Sequence, residues 1–221
     1  MKIKKAVLNV ILTQGVLPLF YCDDAGTSIE ITRVLYRAGV RVLEFTNRGK
    51  NAVENFKLLR KIIEKEMPDM FFGAGTIKNI SDAETFVDAG AEFIVSPIVN
   101  PELSKIASKY KILCIPGCMT PTEIYLAQKN GAELVKIFPA NILGPQFISS
   151  IKELFPDLLF LPTGGVEINQ ENMDEWFNSG VSAVGLGSKL ISKDVLKNKM
   201  YDKLYEDTLL ALKFAKNAKI G

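Results

Sequence analysis

Lys129-Asn130-Gly131-Ala132-Glu133-Leu134-Val135-Lys136 is one of four versions of a single phrase. The others are Arg37-Ala38-Gly39-Val40-Arg41-Val42-Leu43-Glu44, Asp88-Ala89-Gly90-Ala91-Glu92-Phe93-Ile94-Val95 and Asn178-Ser179-Gly180-Val181-Ser182-Ala183-Val184-Gly185. Each sets a glycine where a helix should end and an apolar, strand-forming run immediately after it. The phrase returns every 40 to 50 residues or so, the period of a helix-to-strand unit repeated along the chain.

Between the four phrases the alternation continues. Strands are expected at 16–20, 40–46, 70–74, 93–96, 112–115, 134–138, 158–162 and 183–187, and helical periodicity at 28–38, 52–66, 81–89, 101–109, 121–130 and 146–155. Ser28, Ser81 and Thr120 are candidate caps, and Pro101 and Pro121 suit first helical turns. Eight strand–helix units in 221 residues fit a single (β/α)8 TIM barrel. A doubly wound open sheet is the rival fold, but no Gly-x-Gly-x-x-Gly turn follows the first strand. A lysine-rich amphipathic helix at 194–218 closes the chain, and 1–221 reads as one domain without a linker.

Composition removes several function classes. A net charge of +2 and no cationic block with interleaved aromatics argue against nucleic acid as a partner. The start, Met1-Lys2-Ile3-Lys4-Lys5 before an apolar run, resembles a signal peptide. Asn9, Thr13 and Gln14 interrupt the run, so an amphipathic first helix is expected instead. No segment is apolar for long enough to span a membrane. Cys22, Cys114 and Cys118 are odd in number and lack metal-ligand spacing, which suits reduced thiols in the cytoplasm. The chain has no histidine at all. Catalysis by His-based triads or proton relays is thereby excluded, leaving Lys, Glu, Asp, Tyr, Cys and backbone groups.

Lys136 stands out within that short menu. Flanked by Leu134, Val135, Ile137 and Phe138, it must bury its ammonium, pair it or lose its proton. An amine in a desolvated pocket is a nucleophile toward carbonyls. Strand alternation leaves a second reading open, in which Lys136 turns outward to solvent or to an acidic helix partner.

In a barrel, reactive groups gather at the C-terminal ends of strands. Glu44 ends the second strand and would share a face with Thr46. Desolvated, its carboxyl suits a group that takes and gives protons, and a structural ion pair with Arg48 or Lys136 is the lesser alternative. Arg48 can grip a substrate carboxylate, or it is an ordinary loop arginine. Thr76, after Gly73-Ala74-Gly75, can donate to the same carboxylate or cap a helix. Pro97 and Phe138 offer apolar walls. Thr163-Gly164-Gly165 and Gly185-Leu186-Gly187-Ser188 would be neighbours at strands seven and eight. With a short helix expected to begin at Ser188, their N–H groups form a cradle for phosphate. The residues alone thus point to Schiff-base chemistry on a phosphorylated keto acid. A phosphosugar isomerase or epimerase using Glu44 as base, and a non-catalytic phosphosugar-binding barrel, are the competing readings.

Six segments together carry a family resemblance: 39–48, 73–76, 93–97, 115–117, 135–140 and 161–166. In order and spread over about residues 15–190, they resemble the KDPG/KHG aldolases, which cleave 2-keto-3-deoxy-6-phosphogluconate or 4-hydroxy-2-oxoglutarate. The resemblance implies a class I aldolase with Lys136 as the Schiff-base lysine and Glu44 as the proton shuttle. It implies Arg48 and Thr76 on the carboxylate of the pyruvyl half, and Pro97, Phe138 and Thr163 in the pocket wall. Gly164, Gly165, Gly187 and Ser188 fall at its phosphate end. It further implies a cytoplasmic homotrimer that needs neither metal nor cofactor, with pyruvate and a phosphorylated 2-keto acid as its small-molecule partners and no membrane partner. The chain departs from many relatives at Asn47, Gly49 and Lys50, at Ile98-Val99 and at Cys118-Met119. These positions surround the substrate end, so the aldolase of the galactonate epimer is an alternative.

Overall fold

The computed structural model describes residues 2–219. Nine strands alternate with ten helices among them: β1 (Val16–Phe20), β2 (Val42–Thr46), β3 (Phe71–Gly75), β4 (Phe93–Val95), β5 (Leu113–Ile115), β6 (Gly117–Cys118), β7 (Leu134–Ile137), β8 (Leu159–Pro162) and β9 (Val184–Leu186). Every strand pair is parallel. Six strands form one curled sheet in the order β5-β4-β3-β2-β1-β9, and β6-β7-β8 form a second. The sequence leads to eight strands, and the extra one arises at Pro116. Proline has no N–H to donate, so the ladder breaks there and β6 resumes one residue later. The Pro116 carbonyl still accepts from Lys136 N–H at 2.9 Å. At the other edge Thr163 bridges to Gly185, and Ser182 N–H donates to Phe160 O at 2.9 Å.

The strands are buried on both faces, as parallel strands covered by helices must be. Alternation then sorts their side chains into two sets. Leu43, Phe45, Val135, Ile137 and Phe160 pack outward under the helices. Leu17, Val42, Phe93, Leu134 and Leu161 pack inward against one another. Glu44, Lys136 and Thr163 are two residues on from Val42, Leu134 and Leu161, so they too face inward. The outward reading of Lys136 is therefore corrected: its backbone register points it into the interior.

Helix α1 (Lys2–Gln14) explains why the site lies at one end only. Its Val7, Leu8 and Ile11 pack among Leu17, Val42, Leu113 and Leu134, near the N-terminal ends of the strands. The Gln14 side chain fixes this stopper by donating to Val16 O at 2.5 Å and accepting from Arg41 N–H at 2.6 Å. The C-terminal strand ends remain for polar groups.

Several helix ends differ from the sequence reading. Helix α2 (Ala25–Arg37) is capped by Asp24 and α4 (Ile80–Asp88) by Asn79, not by Ser28 and Ser81. Asp and Asn accept from the first-turn N–H groups as well as Ser does, and both helices start earlier than periodicity indicates. The Ser28 hydroxyl donates to Asp24 O at 3.0 Å instead. Thr120 does cap α6 (Pro121–Lys129), in a reciprocal box with Glu123. Helix α7 (Ala140–Lys152) begins six residues before the expected 146 because a first turn precedes a break at Gly144, φ 72 and ψ 170. The closing helix is two pieces, α9 (Lys193–Asn198) and α10 (Tyr201–Ala218), separated at left-handed Lys199 (φ 52). No helix among the described residues is long and apolar enough to cross a membrane.

Candidate active site

Glu44 and Lys136 are 1% and 4% exposed, two ionisable groups sunk in an apolar interior. Burial pushes the Glu44 carboxyl above its ordinary value, and the charges of Lys136 and Arg48 pull it only partly back. The Glu44 Oε1 atom has no hydrogen-bond partner. No ion pair within 4.0 Å joins Glu44 to either cation among the described residues, so the expected alternative of a structural ion pair is not realised. Lys136 Nζ lies 5.2 Å from the centre of the Phe138 ring, which walls it on one side.

Glycines make the room for these side chains. A Cβ on Gly75 would fall 1.8 Å from Glu44 Oε1, so the carboxylate occupies space that only glycine leaves open. A Cβ on Gly117, which pairs with Lys136, would meet the Pro97 carbonyl carbon at 2.5 Å. Pro97 thus abuts the strand next to the lysine and is half-buried.

Beyond Gly75 the chain turns through Thr76, whose φ of 61 is a conformation that β-branched residues avoid. That strained turn presents its Oγ1 to Arg48 Nε–H at 3.4 Å, a long contact. Thr76 does not cap α4, since Asn79 does. The Arg48 loop is itself pinned from β1. The Tyr21 hydroxyl donates to Asp23, which also accepts from the Asn51 side-chain amide at 3.5 Å, and it fills the place where a Gly49 side chain would stand. Burial and Asp23 hold the Tyr21 phenol protonated, raising it to about 12.

Arg48, Phe138, Thr163, Gly164, Gly165, Gly187 and Ser188 border one cavity of about 190 Å³. It lies where β8 and β9 meet at the Thr163–Gly185 bridge. Gly164 and Gly165 have φ of 91 and 77, and a Cβ on Gly165 would strike the Asn141 backbone at 2.7 Å. The helix expected at Ser188 is absent. Residues 188–190 form a turn closed by Leu190 and Ile191 N–H groups donating to Gly187 O at 3.0 and 2.8 Å. Both donors serve the turn, so neither is free for a ligand.

Of the sequence-predicted residues, seven border this cavity, while Glu44, Thr76, Pro97 and Lys136 lie outside its lining. Phe138 and Thr163 are the lining residues nearest to Lys136 in the strands: Phe138 lies two residues beyond it, and Thr163 two beyond Leu161, its partner on β8. Sequence reasoning missed Leu19, Tyr21, Asn141 and Lys189. Gly49, among charged and polar residues, was the one available signal for Tyr21, and nothing local marked the others. Three of the four buried side-chain atoms without a partner, among the described residues, are Glu44 Oε1, Thr46 Oγ1 and Thr163 Oγ1. Such orphans are rare in folded proteins, and strain, a catalytic role or an ordered water or ion accounts for them.

Comparison with known proteins places this geometry in context. Residues 7–206 match the family described as KDPG and KHG aldolase. The chain is 34% identical over 206 residues to the 2-dehydro-3-deoxy-phosphogluconate aldolase of Dickeya dadantii, covering 92% of this chain and 94% of the relative. It is 33% identical to the KHG/KDPG aldolase of Escherichia coli K12 over the full length of both. Among solved structures, the KDPG aldolase of Legionella pneumophila, with pyruvate captured as a covalent carbinolamine, superimposes with a TM-score of 0.82 at 28% identity. That match covers 90% of this chain and 95% of the other. With a family match spanning most of its length, the chain belongs to the KDPG and KHG aldolase family.

Proposed function

We propose that the chain is a class I aldolase that cleaves 2-keto-3-deoxy-6-phosphogluconate into pyruvate and glyceraldehyde 3-phosphate through a Schiff base on Lys136. One observation carries the reading: a lysine and a carboxylate, both buried and not ion-paired, share the interior beside unpartnered hydroxyls. Two unpaired ionisable groups are costly to bury, and groups of this kind cluster where a reaction uses them.

The steps follow from those groups. Lys136 Nζ, in its amine form, attacks the C2 ketone to give a carbinolamine, and loss of water leaves an iminium. Glu44 takes the proton of the C4 hydroxyl, directly or through a water. The C3–C4 bond breaks, its electron pair enters the iminium, and the aldehyde departs. The resulting enamine takes a proton at C3, and hydrolysis of the pyruvyl iminium restores Lys136. A carboxyl whose ionisation is opposed by burial suits a role in which it is alternately base and acid. Arg48 and Thr76 hold the pyruvyl carboxylate, Pro97, Phe138 and Thr163 exclude water, and Gly164, Gly165, Gly187 and Ser188 receive the phosphate.

The same reading takes the nine strands as the eight staves of a closed (β/α)8 barrel, with β5 and β6 one stave interrupted at Pro116. The bonds across Pro116 and across Thr163–Gly185 support that closure. It takes the chain as one domain working in the cytoplasm as a homotrimer, and the three unpaired thiols suit a reducing compartment. Burial pushes Cys114 and Cys118 up to about 12, so neither is a thiolate nucleophile in competition with Lys136.

The test is pyruvate release from a panel: 2-keto-3-deoxy-6-phosphogluconate, its galactonate epimer and 4-hydroxy-2-oxoglutarate. The gluconate configuration is expected to have the highest kcat/KM. Greater activity on the epimer would reassign the substrate. No pyruvate from any of the three would overturn the reading.

A further inference from the structure

Beyond the backbone cradle, one full charge borders the cavity at its β8–β9 end. Lys189 follows Ser188 directly and lines the same space as Gly164, Gly165 and Gly187. Its ammonium is bound 2.7 Å from Glu167 Oε1, on the segment two residues past Gly165. The ion pair thus ties the residue after Ser188 to the segment after Gly165, and it is half-exposed, with side chains 54% and 41% accessible. Exposed pairs of this kind contribute little to stability, so the tie is easily broken. The turn at 188–190 consumes two of its own N–H groups, and Gly187 lies across from Leu19, an apolar neighbour. The cavity's other cation, Arg48, is the residue assigned above to the pyruvyl carboxylate, so the glycine turns themselves offer dipoles, a hydroxyl and no cation.

We infer that Lys189 is a specificity-determining residue for the phosphate end of the substrate, released from Glu167 when a phosphate dianion enters the cavity. A dianion outcompetes one carboxylate for an ammonium, because it brings more charge and more acceptor oxygens to the same donor. Glu167 then works against binding: it holds the ammonium when the cavity has no anion and repels the dianion when it has. The affinity for phosphate is the difference between these two partners. The inference rests on the aldolase reading above and names which residues select phosphorylated over unphosphorylated substrates at that site.

The experiment compares kcat/KM for 2-keto-3-deoxy-6-phosphogluconate and for unphosphorylated 2-keto-3-deoxygluconate in the parent protein, Lys189→Gln and Glu167→Gln. It adds inhibition by inorganic phosphate in each. Loss of a charge-assisted contact predicts that the phosphorylated-to-unphosphorylated ratio falls about tenfold in Lys189→Gln. Glu167→Gln is expected to raise the ratio and tighten phosphate inhibition by a factor of about two to five, the scale of an exposed ion pair. An unchanged ratio in Lys189→Gln, or a fall in Glu167→Gln, would overturn the inference while leaving the aldolase reading in place. A parent protein with no preference for the phosphorylated substrate would overturn the phosphate end itself, and the inference with it.

Discussion

Gly75→Ala is the smallest change that tests whether the position of Glu44 matters. Gly75 has a negative φ, so alanine meets no backbone strain there, and the substitution adds only a methyl group. That methyl carbon would lie 1.8 Å from Glu44 Oε1, 2.5 Å from its carboxyl carbon and 2.7 Å from its Cγ. Carbon and oxygen do not approach within about 3 Å without bonding, so the carboxylate must retreat by roughly 1 Å or more. Glu44 is buried, and overpacking of this kind costs about 1–3 kcal/mol of stability. A displacement near 1 Å in a reacting group costs about a hundredfold in rate, or about 2.7 kcal/mol in the barrier. The expected result is therefore a fall of about two orders of magnitude in kcat/KM for cleavage, followed by pyruvate release. Covalent trapping of pyruvate by borohydride should persist, because Lys136 is untouched. Shortening the carboxylate in the same background, with Glu44→Asp, should recover part of the lost stability, since the two side chains share one space. A folded Gly75→Ala protein cleaving within threefold of the parent would refute the claim that a fixed Glu44 is needed.

Three further outcomes follow from the same geometry. Glu44→Gln should lower kcat by about two to four orders of magnitude and also change stability in a pH-dependent way. Because burial raises the folded carboxyl above its ordinary 4.5, the parent's stability contribution from this group is full below 4.5 and is lost as pH rises through the raised value. Melting temperatures of the two proteins should thus coincide in acid and diverge in favour of Gln toward neutral pH, and a constant difference would contradict this. Thr163→Val removes a buried hydroxyl that has no partner, so the unliganded protein should gain up to about 1 kcal/mol in denaturant unfolding while kcat/KM falls. Tyr21→Phe cuts the link to Asp23, the carboxylate that also holds Asn51, and with it the pinning of the Arg48 loop. KM should rise severalfold with a smaller change in kcat, and an equal loss in both would point to general unfolding.

How much of this was legible in the sequence depends on the scale of the feature. The recurring glycine phrase located the strand starts because only glycine accepts the left-handed turn that ends those helices, and Gly39, Gly90, Gly131 and Gly180 all have φ between 81 and 105. The apolar flanks of Lys136 were equally plain, but its direction was not. A two-residue period says that neighbours point oppositely, and only the packing of Leu134 among the interior residues says which way. Helices α2 and α4 start three residues and one residue before the periodicity indicates, because Asp24 and Asn79 cap as well as the nearby serines do. Lys189 and Glu167 were beyond reach, since their pairing depends on how two glycine turns from different strands come together. Tyr21 was hidden for the same reason: the glycine that records its presence is 28 residues away.

The central claim is that Lys136 forms a Schiff base with a keto acid, and one measurement addresses it most directly. The protein is incubated with pyruvate and borohydride, digested, and the modified peptide sequenced by mass spectrometry. The account predicts one reduced pyruvyl group per chain, on Lys136, absent from Lys136→Arg and absent when borohydride is omitted. Folded protein that gains no adduct, or gains it on Lys189 or another surface lysine in place of Lys136, would contradict it.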